Sequence, residues 1–217
     1  MRLLVINPNS TASMTAKIAD AARRAVPKGV EVIAATNTSG PASIQGVADG
    51  VLATPGLLAL VAASDADAIV IACFDDTALA QARTLTAVPV IGIGEAAFHA
   101  AMLLGVRYSV VTTLSVSVPV IEANLAAYGI AQSCIRVRAS DVAVLDLERT
   151  GSAAEAKVSD EIARAVAEDG AGAIVLGCAG MADLAARMSA RHSVAVIDGV
   201  AAAAGMAWLM AGLLRAA

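Results

Sequence analysis

Short β-branched runs alternate along the chain with stretches whose apolar residues recur at helical spacing. Leu3 to Ile6, Val30 to Ala34, Ala68 to Ala72 and Val88 to Ile91 read as strands. Thr11 to Val26 carries a helical pattern that Pro27-Lys28-Gly29 stops, and Val116 to Tyr128 carries another that Gly129 stops. The order of elements then returns at an offset of 105 residues. "RLLVINPNS" from Arg2 falls on "RYSVVTTLS" from Arg107, "VEVIAA" from Val30 on "IRVRAS" from Ile135, and "AIVIAC" from Ala68 on "AIVLGC" from Ala173. One further residue of offset brings "VPVIG" at Val88 onto "SVAVID" near Val194. A fixed offset over most of the chain means two copies of one unit, here paired lobes rather than a solenoid.

Alternating strands and helices predict an α/β fold with parallel sheets, right-handed crossovers and helices on their faces. Each copy supplies four strands, so two pseudo-symmetric lobes are expected, over 1–96 and 97–199, with a buried helix over 200–217 packing back on the first. The join near Gly94 to His99 carries no polar linker, which predicts closely packed lobes. Ligands of such sheets bind beyond the carboxyl ends of the strands. Asn7, Cys73, Thr112 and Cys178 all stand at expected strand ends, and two lobes facing across a pseudo-twofold axis bring those ends to one cleft.

Cys73 closes "IVIAC" and Cys178 closes "IVLGC", so the two thiols are equivalent positions of the repeat. A facing pair of acid/base groups suits a reaction that is nearly its own mirror image. One thiolate removes a proton from carbon beside a carbonyl, and the opposite thiol returns one to the other face. A thiol ionises near pH 8.5 and is tuned towards neutrality at a helix N-terminus. Helical patterns, "DDTALAQAR" and "AGMADLAARM", follow both cysteines, and backbone N–H groups there suit the enolate oxygen. A lone cysteine reads better as a small buried hydrophobe. Two at matching βα junctions favour chemistry. Cys134 matches Gly29 at a strand start and reads as structural.

Composition narrows the class. The 217 residues are 58% hydrophobic and 16% charged, against roughly 25% charged in an average protein. Much of the apolar content is alanine, which fits helices packed tightly on sheets. The uncharged stretch between Asp198 and Arg215 is 16 residues, short of the roughly 20 that span a bilayer. No targeting segment is visible, so a cytoplasmic location is the expectation. A net charge of −4 without a basic cluster argues against nucleic acid as partner. The three cysteines show neither metal-ligand nor C-x-x-C spacing, so no metal or organic cofactor is expected.

Other polar residues compete for roles at the strand ends. In "NPNST", Ser10 or Thr11 reads as a helix cap, while the amides of Asn7 and Asn9 suit both donors and acceptors of a ligand. Thr112 and Thr113 form the matching loop of the second copy and suit a carbonyl oxygen. Asp75 and Asp76 read first as helix caps and second as ligand contacts. His99 reads as a packed or exposed helix histidine rather than as a general base. "GIGEAA" from Gly92 matches a dinucleotide fingerprint, but the following strand ends in Thr112-Thr113 without a ribose-binding acid.

"LLVINPNST", "SGPASIQG", "TPGLL", "IACFDD", "GIGEAA", "VVTTL" and "VLGCAGM" followed by "VIDGV" together resemble the hydantoin and allantoin racemase branch of the aspartate/glutamate racemase superfamily. The resemblance spans nearly the whole chain. It implies two flavodoxin-like lobes, cofactor-independent two-base racemisation of a small molecule, and a homo-oligomer. It puts the catalytic thiols at Cys73 and Cys178, with Asn7, Asn9, Thr112 and Thr113 lining the pocket. Phe74 and the Gly177, Ala179 and Gly180 segment would lie beside the thiols, and the loop ending at Ile44 would cover the substrate ring. Amino-acid racemases of the superfamily usually carry hydroxyl residues after the cysteines. Phe74 and Ala179 stand there in this chain, favouring a neutral ring amide such as a 5-substituted hydantoin or allantoin. The hydantoin branch often has glycine and then Asp-Pro after the phenylalanine, where this chain has Asp75-Asp76-Thr77. Maleate isomerisation, arylmalonate decarboxylation, amino-acid racemisation and non-catalytic ligand binding are the rivals, and Cys73 counts against a decarboxylase that keeps only the second cysteine.

Overall fold

The computed structural model describes residues 1–148 and 153–215. Strands β1 (Arg2–Asn7), β2 (Glu31–Thr36), β3 (Ala68–Ile71) and β4 (Val90–Gly92) form one sheet in the order β2-β1-β3-β4. Strands β5 (Tyr108–Thr112), β6 (Cys134–Ala139), β7 (Ala173–Gly177) and β8 (Ala195–Asp198) form a second in the order β6-β5-β7-β8. Every pairing is parallel. The two sheets repeat one topology, as the 105-residue offset predicts.

The connections are helices α1 (Ala12–Ala25), α2 (Val47–Ala62), α3 (Leu79–Thr84), α4 (Ile93–Leu103), α5 (Val118–Ala127), α6 (Ala153–Asp169), α7 (Ala185–His192) and α8 (Gly199–Arg215). Residues 216–217 of the expected C-terminal helix lie outside the described residues. A division at residue 96 falls within α4, which packs against α8 and also against β7 and β8. α8 packs on α1, α4 and β3.

Side chains on a strand alternate between faces, and the core divides accordingly. Leu3 and Val5 of β1, with Ala173 and Val175 of β7, enter a core shared by both sheets. Their neighbours turn outward: Leu4 and Ile6 under α2 and α3, and Ile174 and Leu176 under α6 and α7. The shared core is rich in alanine where α4 meets α8: Ala96, Ala97 and Ala101 against Ala203, Ala204 and Ala207. Small side chains let these helices approach closely, so the high apolar fraction reflects dense helix packing. Among the described residues no helix is long and apolar enough to cross a membrane.

Candidate functional site

The strand ends converge. β3 and β7 are inner strands of their sheets, and Cys73 and Cys178 lie in the loops just beyond them. Both cysteines line a single cavity of about 30 Å³. Equivalent loops of the two halves contribute in pairs. After β1 and β5 come Asn9 and Thr113, after β2 and β6 come Ile44 and Val144, and after β3 and β7 come the thiols. Phe74 and Asp75 accompany Cys73 at the wall, and Gly177 and Ala179 accompany Cys178. The space between the thiols is narrow for a ring-sized molecule and opens to solvent. The segment ending at Ile44 is held down by Ser10 N–H to Pro41 O (2.8 Å) and Thr11 Oγ1 to Ala42 O (2.6 Å).

Asn7 is fully buried and does not reach the cavity wall. Its Nδ2 donates to Asn9 Oδ1, Thr11 O and Thr15 Oγ1, and its Oδ1 accepts from Asn9 N–H. Asn7 therefore shapes the loop that presents Asn9. Asn9 Oδ1 also accepts from Thr11 N–H, whereas among the described residues Asn9 Nδ2 meets the soft acceptor Met14 Sδ at 3.2 Å. A carbonyl oxygen would be a stronger partner for that amide. Thr11 occupies the N-cap of α1, but its hydroxyl makes no cap bond. Thr112 is likewise withdrawn, with Oγ1 donating to Gly177 O at 2.9 Å, so Thr113 is the threonine of that loop at the wall.

The expectation that helices open at the two cysteines needs correction. α3 begins only at Leu79, because Asp76 (φ 48°) and Ala78 (φ 54°) adopt left-handed backbone that breaks the helix. A single 3-10 turn, Ala179–Met181, follows Cys178. Cys73 thus receives no helix N-terminus. Burial pushes its thiol pKa up, and the nearby Asp75 carboxylate pushes the same way. At Cys178 the Gly180 N–H points at Sγ (3.4 Å), a donor suited to charge on sulfur. Gly180 does not border the cavity itself.

The two aspartates separate. Asp75 is at the wall, and burial raises its carboxyl to about 6. Asp76 instead caps the distant α4. Its oxygens accept from Gly94 N–H (2.9 Å), Glu95 N–H (2.7 Å) and Tyr128 Oη (2.8 Å). Burial pushes this carboxyl up to about 7 against the pull of those three donors. The glycines of "GIGEAA" exist to admit this loop. A Cβ at Gly92 would overlap the Asp76 carboxylate, and one at Gly94 would sit 2.5 Å from Phe74 O. Phe74 anchors the loop from the other side, edge-on to Phe98 of α4 with centroids 5.3 Å apart.

Met14, Ser117, Val144 and Lys17 were not singled out by the sequence. Met14, Ser117 and Val144 border the cavity. Val144 falls at the repeat equivalent of Ser39, near the loop that ends at Ile44, so the duplication carried a signal for it. Lys17 reaches from α1 to the second half: its Nζ donates to Leu147 O (3.0 Å) and Gly180 O (3.4 Å) and lies 3.7 Å from Asp183. It ties the Cys178 corner to the first half, and no sequence signal marks it. Among the described residues no group of three or more His, Cys, Asp or Glu side chains could hold a metal ion.

Known proteins share both the sequence and the fold. Residues 3–207 match the family model for Asp/Glu/Hydantoin racemase. A hydantoin racemase from Rhizobium meliloti is 48% identical over 215 residues, covering 98% of this chain and 89% of that protein. The structure of an allantoin racemase from Klebsiella pneumoniae superposes with a TM-score of 0.94 at 42% identity, covering 98% of this chain and 88% of that one. An allantoin racemase from Pseudomonas fluorescens gives the same TM-score at 41% identity, covering 100% of this chain and 92% of its own. With two matching sheets, thiols at equivalent strand ends and similarity along nearly its whole length, the chain belongs to the Asp/Glu/hydantoin racemase family.

Proposed function

We propose that the protein is a cofactor-independent racemase of a 5-substituted hydantoin or of allantoin, with Cys73 and Cys178 as its two acid/base groups. The observation that carries this reading is that thiols from equivalent ends of two repeated sheets border one cavity. The substrate ring lies between the sulfurs. One cysteine, as thiolate, takes the proton from C5 and becomes a thiol, while the electron pair left on carbon delocalises onto the adjacent ring carbonyl. The opposite thiol protonates C5 from the other face and becomes a thiolate. One C–H bond breaks and one forms, and the two sulfurs exchange protonation states. Asn9 Nδ2 is the donor for a ring oxygen, and the Asp75 carboxylate is the acceptor for a ring N–H. Exposed apolar side chains on α8, including Trp208, Leu209 and Leu213, suit the self-association expected of this protein.

Single Cys→Ser variants test the mechanism. Serine is far too weak a base near neutral pH, so Cys73→Ser and Cys178→Ser should each abolish conversion to the opposite enantiomer, a loss of at least about a thousandfold. Each variant should retain deuterium exchange from D₂O on one enantiomer only, and the two should prefer opposite enantiomers. NMR of each pure enantiomer with each variant reads both effects. Racemisation by either variant near the wild-type rate overturns the two-thiol mechanism.

A further inference from the structure

The loop after Cys73 holds one polar atom that the mechanism above does not use. Thr77 is 7% exposed, and its Oγ1 is buried with no hydrogen-bond partner among the described residues. A buried hydroxyl without a partner costs stability, so the resting fold gains nothing from it. The loop nevertheless holds Thr77 firmly. Asp76 and Ala78, on either side of it, take left-handed backbone (φ 48° and 54°). Asp76 is bound to α4 through the Gly94 and Glu95 N–H groups, and Leu79 is buried in the outer core of the first sheet. The hydroxyl held in this way lies close enough to Cys73 to favour the charged form of its thiol.

We propose that the Thr77 hydroxyl is the hydrogen-bond donor for the Cys73 thiolate, unpaired in the resting protein and engaged when the sulfur takes up charge. The proposal rests on the racemase reading above. The repeat gives each sulfur one donor, the N–H two residues beyond its cysteine: Asp75 at Cys73 and Gly180 at Cys178. The surroundings are otherwise unequal, because burial and the Asp75 carboxylate both oppose charge on Cys73. A second donor offsets that opposition on this side alone. At the 105-residue offset Ala182, which has no hydroxyl, stands opposite Thr77. A hydroxyl hydrogen rotates freely, so it can turn to the sulfur without any movement of the loop. In either direction of racemisation Cys73 is a thiolate at one end of the cycle, as the base that starts it or as the product of giving up its proton. Thr77 therefore serves both directions.

Thr77→Val keeps the branched shape and removes the hydroxyl, while Thr77→Ser keeps the hydroxyl. The test combines each with Cys178→Ser, which leaves Cys73 to exchange alone, and with Cys73→Ser, which leaves Cys178. Deuterium uptake from D₂O into pure enantiomers of 5-methylhydantoin and of allantoin is followed by NMR. Thr77→Val should slow exchange by Cys73 about threefold or more, since a thiolate without its donor is scarcer, though more basic. Exchange by Cys178 should not change, and the valine variant should melt no lower than the wild type. Thr77→Ser should keep the Cys73 rate. No slowing at Cys73, equal slowing in both backgrounds, a serine variant as slow as the valine one, or a valine variant that melts well below wild type overturns the proposal. A wild type that exchanges neither compound sinks the racemase reading separately. Where no exchange is seen, alkylation by iodoacetamide decides the donor. Slower alkylation of Cys73 relative to Cys178 in the valine variant but not in the serine one supports it, and an unchanged ratio overturns it.

Discussion

The corner after Cys73 and the corner after Cys178 descend from one repeated unit, yet they close differently. At the 105-residue offset, Phe74-Asp75-Asp76 stand opposite Ala179-Gly180-Met181. Met181 is fully buried and packs into the outer core of the second sheet. Asp76 turns into the opposite role and caps α4 across the lobe, in a space that Gly92 leaves free. In the second half the matching helix, α8, is capped by its own strand-end residue: Asp198 accepts from Val200 N–H (2.9 Å) and Ala201 N–H (3.2 Å). Both halves satisfy the orphan N–H groups of a helix start with an aspartate, but from different places in the chain. One consequence is chemical. The first corner leaves the Asp75 carboxylate beside one thiol, so two positions related by the repeat have unequal surroundings.

The capping difference gives the largest expected effect. Gly92→Ala drives a methyl into the Asp76 carboxylate and should lower stability by about 3 kcal/mol, the upper part of the overpacking range. Asp198→Ala removes only a cap and should cost about 1 kcal/mol. Urea unfolding of the two variants measures the gap, and equal losses would mean the two corners tolerate change alike.

Thiol reactivity reads the same comparison at the site. Burial and Asp75 hold Cys73 in its thiol form, while the Gly180 N–H faces the Cys178 sulfur. Under iodoacetamide at pH 7, Cys178 should be alkylated about tenfold faster than Cys73, as peptide mass mapping would show. Asp75→Asn removes the neighbouring charge and should speed Cys73 several-fold while changing Cys178 by less than about twofold. Equal rates in the wild type, or equal acceleration of both thiols, would dissolve the asymmetry.

The same comparison can be read in stability against pH. Burial raises Asp75 to about 6, Asp76 to about 7 and Asp198 to about 6, all above the ordinary 3.8. A carboxyl with a raised pKa binds protons more tightly in the folded chain than in the unfolded one. Stability should therefore fall as pH rises from about 4 towards 7. The unfolding midpoint should be higher at pH 5 than at pH 8. Asp76→Asn should flatten that slope more than Asp75→Asn or Asp198→Asn does, since its carboxyl is raised furthest.

The sequence by itself determined the sheets, their repeat and the equivalence of the thiols. Strand faces and βα order follow from local periodicity, and a duplication is visible in a one-dimensional alignment of the chain with itself. It also marked Asn9, Ile44, Phe74, Asp75 and Thr113, because they lie one to a few residues beyond strand ends or within quoted family motifs. Only the tertiary structure decided which neighbours turn inward. Asn7 and Thr112 end their strands as expected, but hydrogen bonds to Thr15 and Gly177 hold them away from the cavity. The helix pattern after Cys73 suggested a helix N-terminus. The left-handed backbone at Asp76 and Ala78 delayed that helix so that Asp76 could meet α4, 18 residues on. Lys17 binds Gly180 across 163 positions of sequence. Contacts of that kind depend on how two lobes pack, and packing is a property of surfaces brought together in space, which no local pattern of residues encodes.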